Sequence, residues 1–158
     1  MISLLDVNVL VALAWPNHVH HAAAQHWFGQ NRRQGWATCS ITQTGFVRVS
    51  SNVAVMAEAR SPREALGLLG GIIRLPHHAF WTDDLSITDA RWIAIDRLVG
   101  YRQITDAQLL GLALKRGGRL ATLDRDIRTI VPKGFDADQV VAIISGDLSD
   151  HRPPRCTR

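Results

Sequence analysis

The chain has 158 residues, of which 46% are hydrophobic and 20% are charged, and this balance fits one soluble domain with a sizeable core. No apolar run is long enough to span a bilayer, no basic segment opens the chain as in a secretory signal, and two cysteines form no disulfide framework. We therefore expect a cytoplasmic protein without membrane association. The net charge is +4, and nearly all the cations are arginine, which suits phosphate but equally suits a basic surface kept for solubility.

The first predicted strand, residues 2–5, is apolar on both faces, as in the central strand of a covered parallel sheet. Asp6 follows it, at the edge where open α/β sheets bind their ligands. A buried acid is costly without a partner, and we expect no cap or turn to require one inside this apolar run. The pattern therefore predicts a divalent cation beside Asp6.

Further along the chain, predicted strands alternate with predicted helices. The other strands are predicted at residues 36–39, within 75–81, at 119–123 and at 139–144. Helices are predicted at residues 9–14 and 18–28, from a cap at Ser40 or Thr42, from Ser61 to about Gly70-Gly71, and from a capping box at Thr105 to Gly117-Gly118. Residues 83–96 allow a short strand at 85–87 or a helical turn at 92–95, and residues 127–131 form a brief turn.

This alternation predicts an α/β fold, a three-layer α/β/α sandwich around a mostly parallel sheet. We expect one domain over residues 1–146, followed by a polar and flexible tail over residues 147–158.

Three carboxylates occupy similar topological positions in this arrangement. Asp6 and Asp124 each follow a predicted strand, and Asp106 lies in the first turn of the helix before the second of these strands. If they gather, their repulsion raises their pKa values and favours a hard cation such as Mg²⁺ or Mn²⁺, which can activate water against a phosphodiester. The alternatives are that Asp106 only complements its helix dipole and that Asp124 only forms a turn with Asp126.

At this point the sequence resembles the PIN-domain family, in particular the VapC-type toxins of bacterial toxin–antitoxin pairs. The resemblance rests on four segments: residues 4–10 (LLDVNVL), 42–48 (TQTGFVR), 104–110 (ITDAQLL) and 120–126 (LATLDRD). It implies a metal-dependent endoribonuclease in which Asp6, Asp106 and Asp124 hold Mg²⁺, or Mn²⁺ in its place. It also implies that Asn8 and Thr122 orient these acids.

The resemblance further implies partners. They are an RNA substrate, a cognate VapB-type antitoxin that silences the enzyme, and a second copy of the chain in a homodimer. Operator DNA would be contacted only through the antitoxin.

Gln43 is the one departure from the family pattern, because the family usually has a glutamate in this segment. An amide oxygen can ligate a metal or accept a hydrogen bond, but it brings no charge. We therefore expect one metal to bind well and a second to join only with substrate phosphate. The alternative function is a catalytically weak or inactive RNA-binding or regulatory module.

The sequence also allows a zinc site, a phosphatase and several phosphate contacts. The histidines at 18, 20, 21 and 26 allow a zinc site, although a polar helix face is the simpler interpretation. A haloacid-dehalogenase-like phosphatase would need a second acid where Asn8 stands, which disfavours it. The candidate phosphate contacts are Arg48, Arg102, Arg116 and Arg125.

Overall fold

The fold is given by a computed structural model that describes residues 1–145, so the predicted tail at 147–158 lies outside the described residues. The central sheet has five parallel strands in the order β3-β2-β1-β4-β5. The strands are β1 (Ser3–Leu5), β2 (Trp36–Cys39), β3 (His78–Trp81), β4 (Arg119–Thr122) and β5 (Val141–Ile143).

Helices cover both faces of this sheet. They are α1 (Val7–Ala14), α2 (His21–Asn31), α3 (Ser40–Ser50), α4 (Pro62–Ile73), α5 (Gln103–Lys115) and α6 (Ala137–Val140). Buried residues of α1 to α4 belong to one hydrophobic cluster, whereas the buried residues of α5 belong to a second cluster that α6 also packs against. The predicted three-layer α/β/α arrangement is confirmed. No helix in residues 1–145 is long and apolar enough to cross a bilayer.

Strand β1 is the centre of the sheet, as its sequence predicts. Leu4 belongs to the cluster under α5, and Leu5 belongs to the cluster under α1 to α4. Both side chains are fully buried, because a strand points successive side chains to opposite faces. Apolar residues on both faces are therefore required here.

Helix α5 starts earlier than the predicted capping box at Thr105. It begins at Gln103, and no side chain caps its first turn from Arg102. The side-chain oxygen of Gln103 instead accepts hydrogen bonds from the backbone N–H groups of Val99 (2.8 Å) and Gly100 (3.2 Å). These bonds stabilise the preceding turn, so Thr105 lies inside the helix and the capping prediction was wrong.

The end of α5 follows the prediction. Gly117 has a positive φ of 65°, and the Gly118 N–H donates to the carbonyl of Ala113 at 2.8 Å. A left-handed residue of this kind is the usual way to end a helix, and glycine adopts it without strain. The chain then enters β4 directly, which leaves the start of α5 at the carboxyl edge of the sheet.

Two other helix boundaries differ from the predictions. Helix α4 continues through Gly70 and Gly71 to Ile73, because neighbouring Leu69 is buried and keeps the helix packed. Helix α3 is capped at Cys39, where the hydroxyl of Thr42 accepts from the Cys39 N–H at 3.0 Å.

Three further differences concern poorly patterned segments. Residues 83–94 contain neither the predicted strand at 85–87 nor a regular helix, and a 3₁₀ helix over Ile95–Arg97 begins where the predicted helical turn at 92–95 ends. The final strand is limited to Val141–Ile143, because the residues before it form α6. The predicted turn at 127–131 is a 3₁₀ helix over Asp126–Ile130.

Candidate active site

Asp6 joins β1 to α1 and is buried, with 6% of its surface exposed. Its carboxylate Oδ1 accepts from the Val7 N–H at 2.6 Å, and its own N–H extends the sheet by donating to the Ala121 carbonyl at 3.0 Å. Asp6 is therefore the N-cap of α1, and the expectation that no cap would need an acid here was wrong. A neutral asparagine or serine could cap equally well, so capping alone does not account for a buried charge.

Thr122 connects the acid of β1 to that of β4. Its buried hydroxyl donates to Oδ2 of Asp6 at 3.0 Å and accepts from the backbone N–H of Asp124 at 3.1 Å. The register places Leu5 beside Ala121, so Asp6 and Thr122 leave their strands side by side. One hydroxyl thus fixes the carboxylate of Asp6 and the start of the Asp124 turn.

The other two acids lie at the same edge. Asp124 is exposed in the turn after β4, where its Oδ1 accepts from the Asp126 N–H at 2.8 Å. Asp106 is half-buried in the first turn of α5. The turn that sequence reasoning kept as the simpler role of Asp124 is therefore present, and it leaves the second carboxylate oxygen available.

The three carboxylates influence one another electrostatically. Burial, followed by the charges of Asp6 and Asp124, raises the pKa of Asp106 to about 6. Burial also raises the pKa of Asp6, against hydrogen bonds from Thr122 and Val7 that lower it, and the charge of Asp124 raises it further. Excess negative charge therefore accumulates at this edge of the sheet.

The donor chemistry of this edge fits a hard divalent cation, because carboxylate oxygens are the ligands that Mg²⁺ and Mn²⁺ prefer. Burial, and after it the neighbouring carboxylates, raises the pKa of Asp6 and of Asp106, and a bound cation would favour the charged form of both. Within residues 1–145, however, no three His, Cys, Asp or Glu side chains form a ready-made metal cluster. This edge of the sheet thus has suitable metal ligands, but they do not form a complete coordination shell.

Gln43 points its amide nitrogen at Thr38, to whose hydroxyl it donates at 2.9 Å. That buried hydroxyl lies 2.8 Å from Nε2 of His78 on β3. Burial lowers the pKa of His78, which favours a neutral ring that accepts the Thr38 proton. With the nitrogen engaged in this way, the oxygen is the end of the Gln43 amide left for another partner.

Sequence reasoning missed Thr38 and His78. They contact each other only because β2 and β3 are neighbours in register, with Trp36 beside His78, and a single sequence does not give that pairing. The ring of His78 also packs on Trp36, with 4.5 Å between centroids.

Asn8, predicted to orient an acid, is exposed on α1. In the described part of the chain its side chain forms no hydrogen bond with Asp6, Asp106 or Asp124. It lies instead at a pocket of about 410 Å³ that Trp15 and His18 also line. No contact in this structure therefore supports the predicted role of Asn8, whereas a hydrogen bond to Asp6 supports that of Thr122.

Gly45 determines how closely α3 approaches the site. A Cβ atom at this position would lie 2.5 Å from Cγ2 of Val7, the residue after Asp6. Only a glycine lets the two helices pack at this distance. The segment TQTGFVR thus carries a steric requirement that was not inferred from the sequence.

The histidines at 18, 20, 21 and 26 do not form a zinc site. No group of three metal-ligating side chains is found in residues 1–145, and Nδ1 of His21 is 2.7 Å from the carbonyl of Ala12. That contact anchors the start of α2 to α1.

Among the candidate phosphate contacts, Arg116 is paired with Asp84 at 3.1 Å.

The fold and the coupled acids together define an α/β domain with a carboxylate site at the carboxyl edge of its sheet. A family model described as the PIN domain matches residues 3–131. Two Mycobacterium tuberculosis proteins, Ribonuclease VapC39 and Ribonuclease VapC38, are 48% and 47% identical to the chain over 124 and 128 residues. These matches cover 78% and 81% of this chain and 89% of each relative. The chain belongs to the PIN-domain family, among its VapC-type toxins.

Solved structures agree with this fold. A crystal structure of Mycobacterium tuberculosis VapC20, described as a sarcin-ricin loop cleaving toxin, has a TM-score of 0.60 at 14% identity and covers 88% of this chain and 99% of its own. VapBC2 from Rickettsia felis, bound to a DNA fragment from its promoter, has a TM-score of 0.54 at 12% identity, covering 86% of this chain and 100% of its own. At these identities the likeness concerns the fold alone.

Proposed function

We propose that the chain is a divalent-metal-dependent endoribonuclease and the toxin of a type II toxin–antitoxin system. The observation that carries this proposal is the placement of Asp6, Asp106 and Asp124 at one edge of the sheet, where Thr122 bonds to both Asp6 and Asp124, in a domain whose relatives are named ribonucleases. Burial, together with neighbouring carboxylates, raises the pKa of Asp6 and of Asp106 there. Coupled acids of this kind are a common mark of a functional site.

In this proposal Asp6, Asp106 and Asp124 hold Mg²⁺, and Mn²⁺ can take its place. A bound divalent cation would supply Lewis-acid activation of water and of the phosphate. Thr122 keeps the carboxylate of Asp6 in one orientation through its 3.0 Å hydrogen bond. Asp106, whose pKa is raised to about 6, releases its proton near neutral pH and so becomes an anionic ligand.

The proposal extends to partners and location. Because the chain belongs to the VapC-type toxins, the proposal includes a VapB-type antitoxin that covers the site, with operator DNA bound through that antitoxin. A homodimer remains a prediction of the family resemblance, and a cytoplasmic location remains a prediction from the amino-acid sequence. Size-exclusion chromatography with light scattering, on the chain alone and with its antitoxin, tests the first of these.

Cleavage of RNA is the direct test. Purified protein is incubated with total cellular RNA in Mg²⁺, in Mn²⁺ or in chelator, with Asp6→Asn as the matched inactive control. We expect discrete fragments with either metal and none with chelator or with the variant. Intact RNA under every condition, combined with measurable RNA binding, would contradict the nuclease and support the inactive RNA-binding module.

A further inference from the structure

A second feature lies beside the acids, on the β5 side of the sheet edge. A pocket of about 350 Å³ is lined by Arg125, Arg128, Ile143 and Ser145. Arg125 directly follows Asp124, and Ile143 is the last residue of β5, which pairs with β4 through Thr122. The pocket therefore adjoins the carboxylate site at the same edge.

The chemistry of this pocket is the reverse of that of the acid site. The described residues that line it supply two guanidinium groups and a hydroxyl, and none of them is a carboxylate. Among residues 1–145, no salt bridge engages Arg125, whereas Arg128 is paired with Asp138 at 2.8 Å. Arg125 is exposed, so its charge is available without breaking an ion pair.

We propose that this pocket is a phosphate subsite of the RNA substrate, in which Arg125 and Arg128 hold a phosphate next to the one that is cleaved. The subsite rests on the ribonuclease function proposed above. The planar guanidinium fork donates two parallel hydrogen bonds to phosphate oxygens, which fits a non-bridging pair on a phosphodiester.

Position favours RNA over an acidic peptide as the occupant. The acids repel any anion that approaches without a cation, so the substrate strand needs a nearby positive anchor to stay over the edge. Arg125 is separated from Asp124 by a single peptide bond, and it can bind the neighbouring phosphate of a strand that lies across both sites. Contacts of this kind position a nucleic acid without reading its sequence.

RNA affinity measured without cleavage tests the subsite. The Asp6→Asn background keeps the RNA intact, and fluorescence anisotropy with a labelled octauridylate gives Kd at several salt concentrations. Arg125→Ala should weaken binding about tenfold, because a hydrogen bond to a charged group is lost. It should also lower the slope of log Kd against log salt by about 0.7, the value for one phosphate contact on a single strand.

Arg33→Ala is the matched control, because Arg33 is also exposed but precedes β2 at the opposite edge of the sheet. It should leave Kd and the salt slope unchanged. Asp138→Asn releases Arg128 from its partner and should tighten binding, up to about fivefold. Unchanged melting temperatures verify that each variant folds.

A neutral phosphate analogue identifies the contact itself. Octauridylates carrying one methylphosphonate are compared at each position, with and without Arg125→Ala. At one position the neutral group should lower the RNA affinity of the Asp6→Asn protein as much as Arg125→Ala does. Combining the two changes should then lower the affinity little further.

Two results would overturn the subsite. In one, Arg125→Ala loses no more affinity than Arg33→Ala. In the other, Arg125→Ala binds RNA normally but no longer binds hexaglutamate, which would assign the pocket to an acidic peptide. If the wild type cleaves RNA while either result is found, only the subsite fails. If it cleaves nothing while Arg125→Ala still weakens RNA binding, the phosphate site stands and the nuclease fails.

Discussion

The hydroxyl of Thr122 donates a 3.0 Å hydrogen bond to the buried Oδ2 of Asp6, and the same hydroxyl accepts from the Asp124 N–H. Two acids that are far apart in the sequence are therefore aligned by one small side chain. The bond stabilises the charged form of Asp6 and opposes the burial that raises its pKa. The contact joins strand β4 to the acid that follows β1, at the edge of the sheet where the candidate site lies.

Thr122→Val keeps the shape of the side chain and removes its hydroxyl. It leaves Oδ2 of Asp6 and the N–H of Asp124 without this partner, so the free energy of unfolding should fall by about 1–3 kcal/mol in urea titrations. The pKa of Asp6 should rise further, and metal affinity should fall about 10- to 100-fold. Thr122→Ser, which keeps the hydroxyl, should retain most of both properties; equal losses in the two variants would contradict the role of the hydrogen bond.

Asp106 should make the metal-free protein less stable as the pH rises. Its folded pKa of about 6 exceeds the unfolded value of about 3.9, so between these values the folded chain binds more protons than the unfolded chain. The free energy of unfolding therefore falls through this window and stays low above it. Because Asp106 is half-exposed, the effect should be about 1 kcal/mol rather than the larger value implied by the full shift.

Urea titrations in chelator at pH 4.5 and pH 7.5 measure this effect, with Asp106→Asn as the reference that lacks the titrating group. The free energy of unfolding of the wild type, relative to that of the variant, should be higher at pH 4.5 than at pH 7.5. Adding Mg²⁺ at pH 7.5 should stabilise the wild type and leave the variant nearly unchanged. A difference that does not vary with pH would show that the folded protein does not raise the pKa of Asp106.

The sequence alone predicts the structure correctly where a single residue type determines the local conformation or burial. Leu4 and Leu5 predict a strand that is buried on both faces, and Gly117 predicts the end of α5. It was insufficient where an outcome depends on an unknown neighbour. The contact of Thr38 with His78 requires the β2–β3 register.

Competition between local signals explains the wrong prediction for the start of α5. The side chain of Gln103 stabilises the turn before α5, and this overrode the capping pattern at Thr105. At the site, sequence position identified the edge where the three acids lie, but not that Asp6 would also cap α1. Their shared role as metal ligands stays a prediction.

Gln43→Glu should raise metal affinity, because it restores the charge that the family pattern usually has at this position. We expect at least about tenfold tighter Mn²⁺ binding by calorimetry, since a carboxylate adds a Coulombic attraction that an amide lacks. The metal-free variant should be less stable, because a fourth like charge joins the edge. The wild type should show one tight site; two tight sites in the free protein would contradict our expectation.

Thr44→Glu is the control for this comparison, because Thr44 is exposed on the next position of α3. A charge added there is screened by solvent and should change metal affinity little. Equal effects at positions 43 and 44 would mean that Gln43 lies outside the metal site.

Gly45→Ala should destabilise the protein and disturb the site at the same time. The added methyl would lie 2.5 Å from Cγ2 of Val7, and overpacking of this kind costs about 1–3 kcal/mol. Because Val7 follows Asp6, relief of the clash should also displace the carboxylate and reduce RNA cleavage. Gly67→Ala in α4 meets no atom within 4 Å and should instead stabilise by about 0.5–1 kcal/mol.

Val7→Ala removes the side chain that an alanine at position 45 would strike, so the double variant tests whether this contact is the cause. Urea titrations of the two single variants and the double variant form a thermodynamic cycle, in which we expect a favourable coupling of about 1 kcal/mol or more. Cleavage should recover together with stability in the double variant. Strictly additive losses would mean that Gly45 acts through something other than its approach to Val7, and the steric explanation for the position of α3 beside Asp6 would fail.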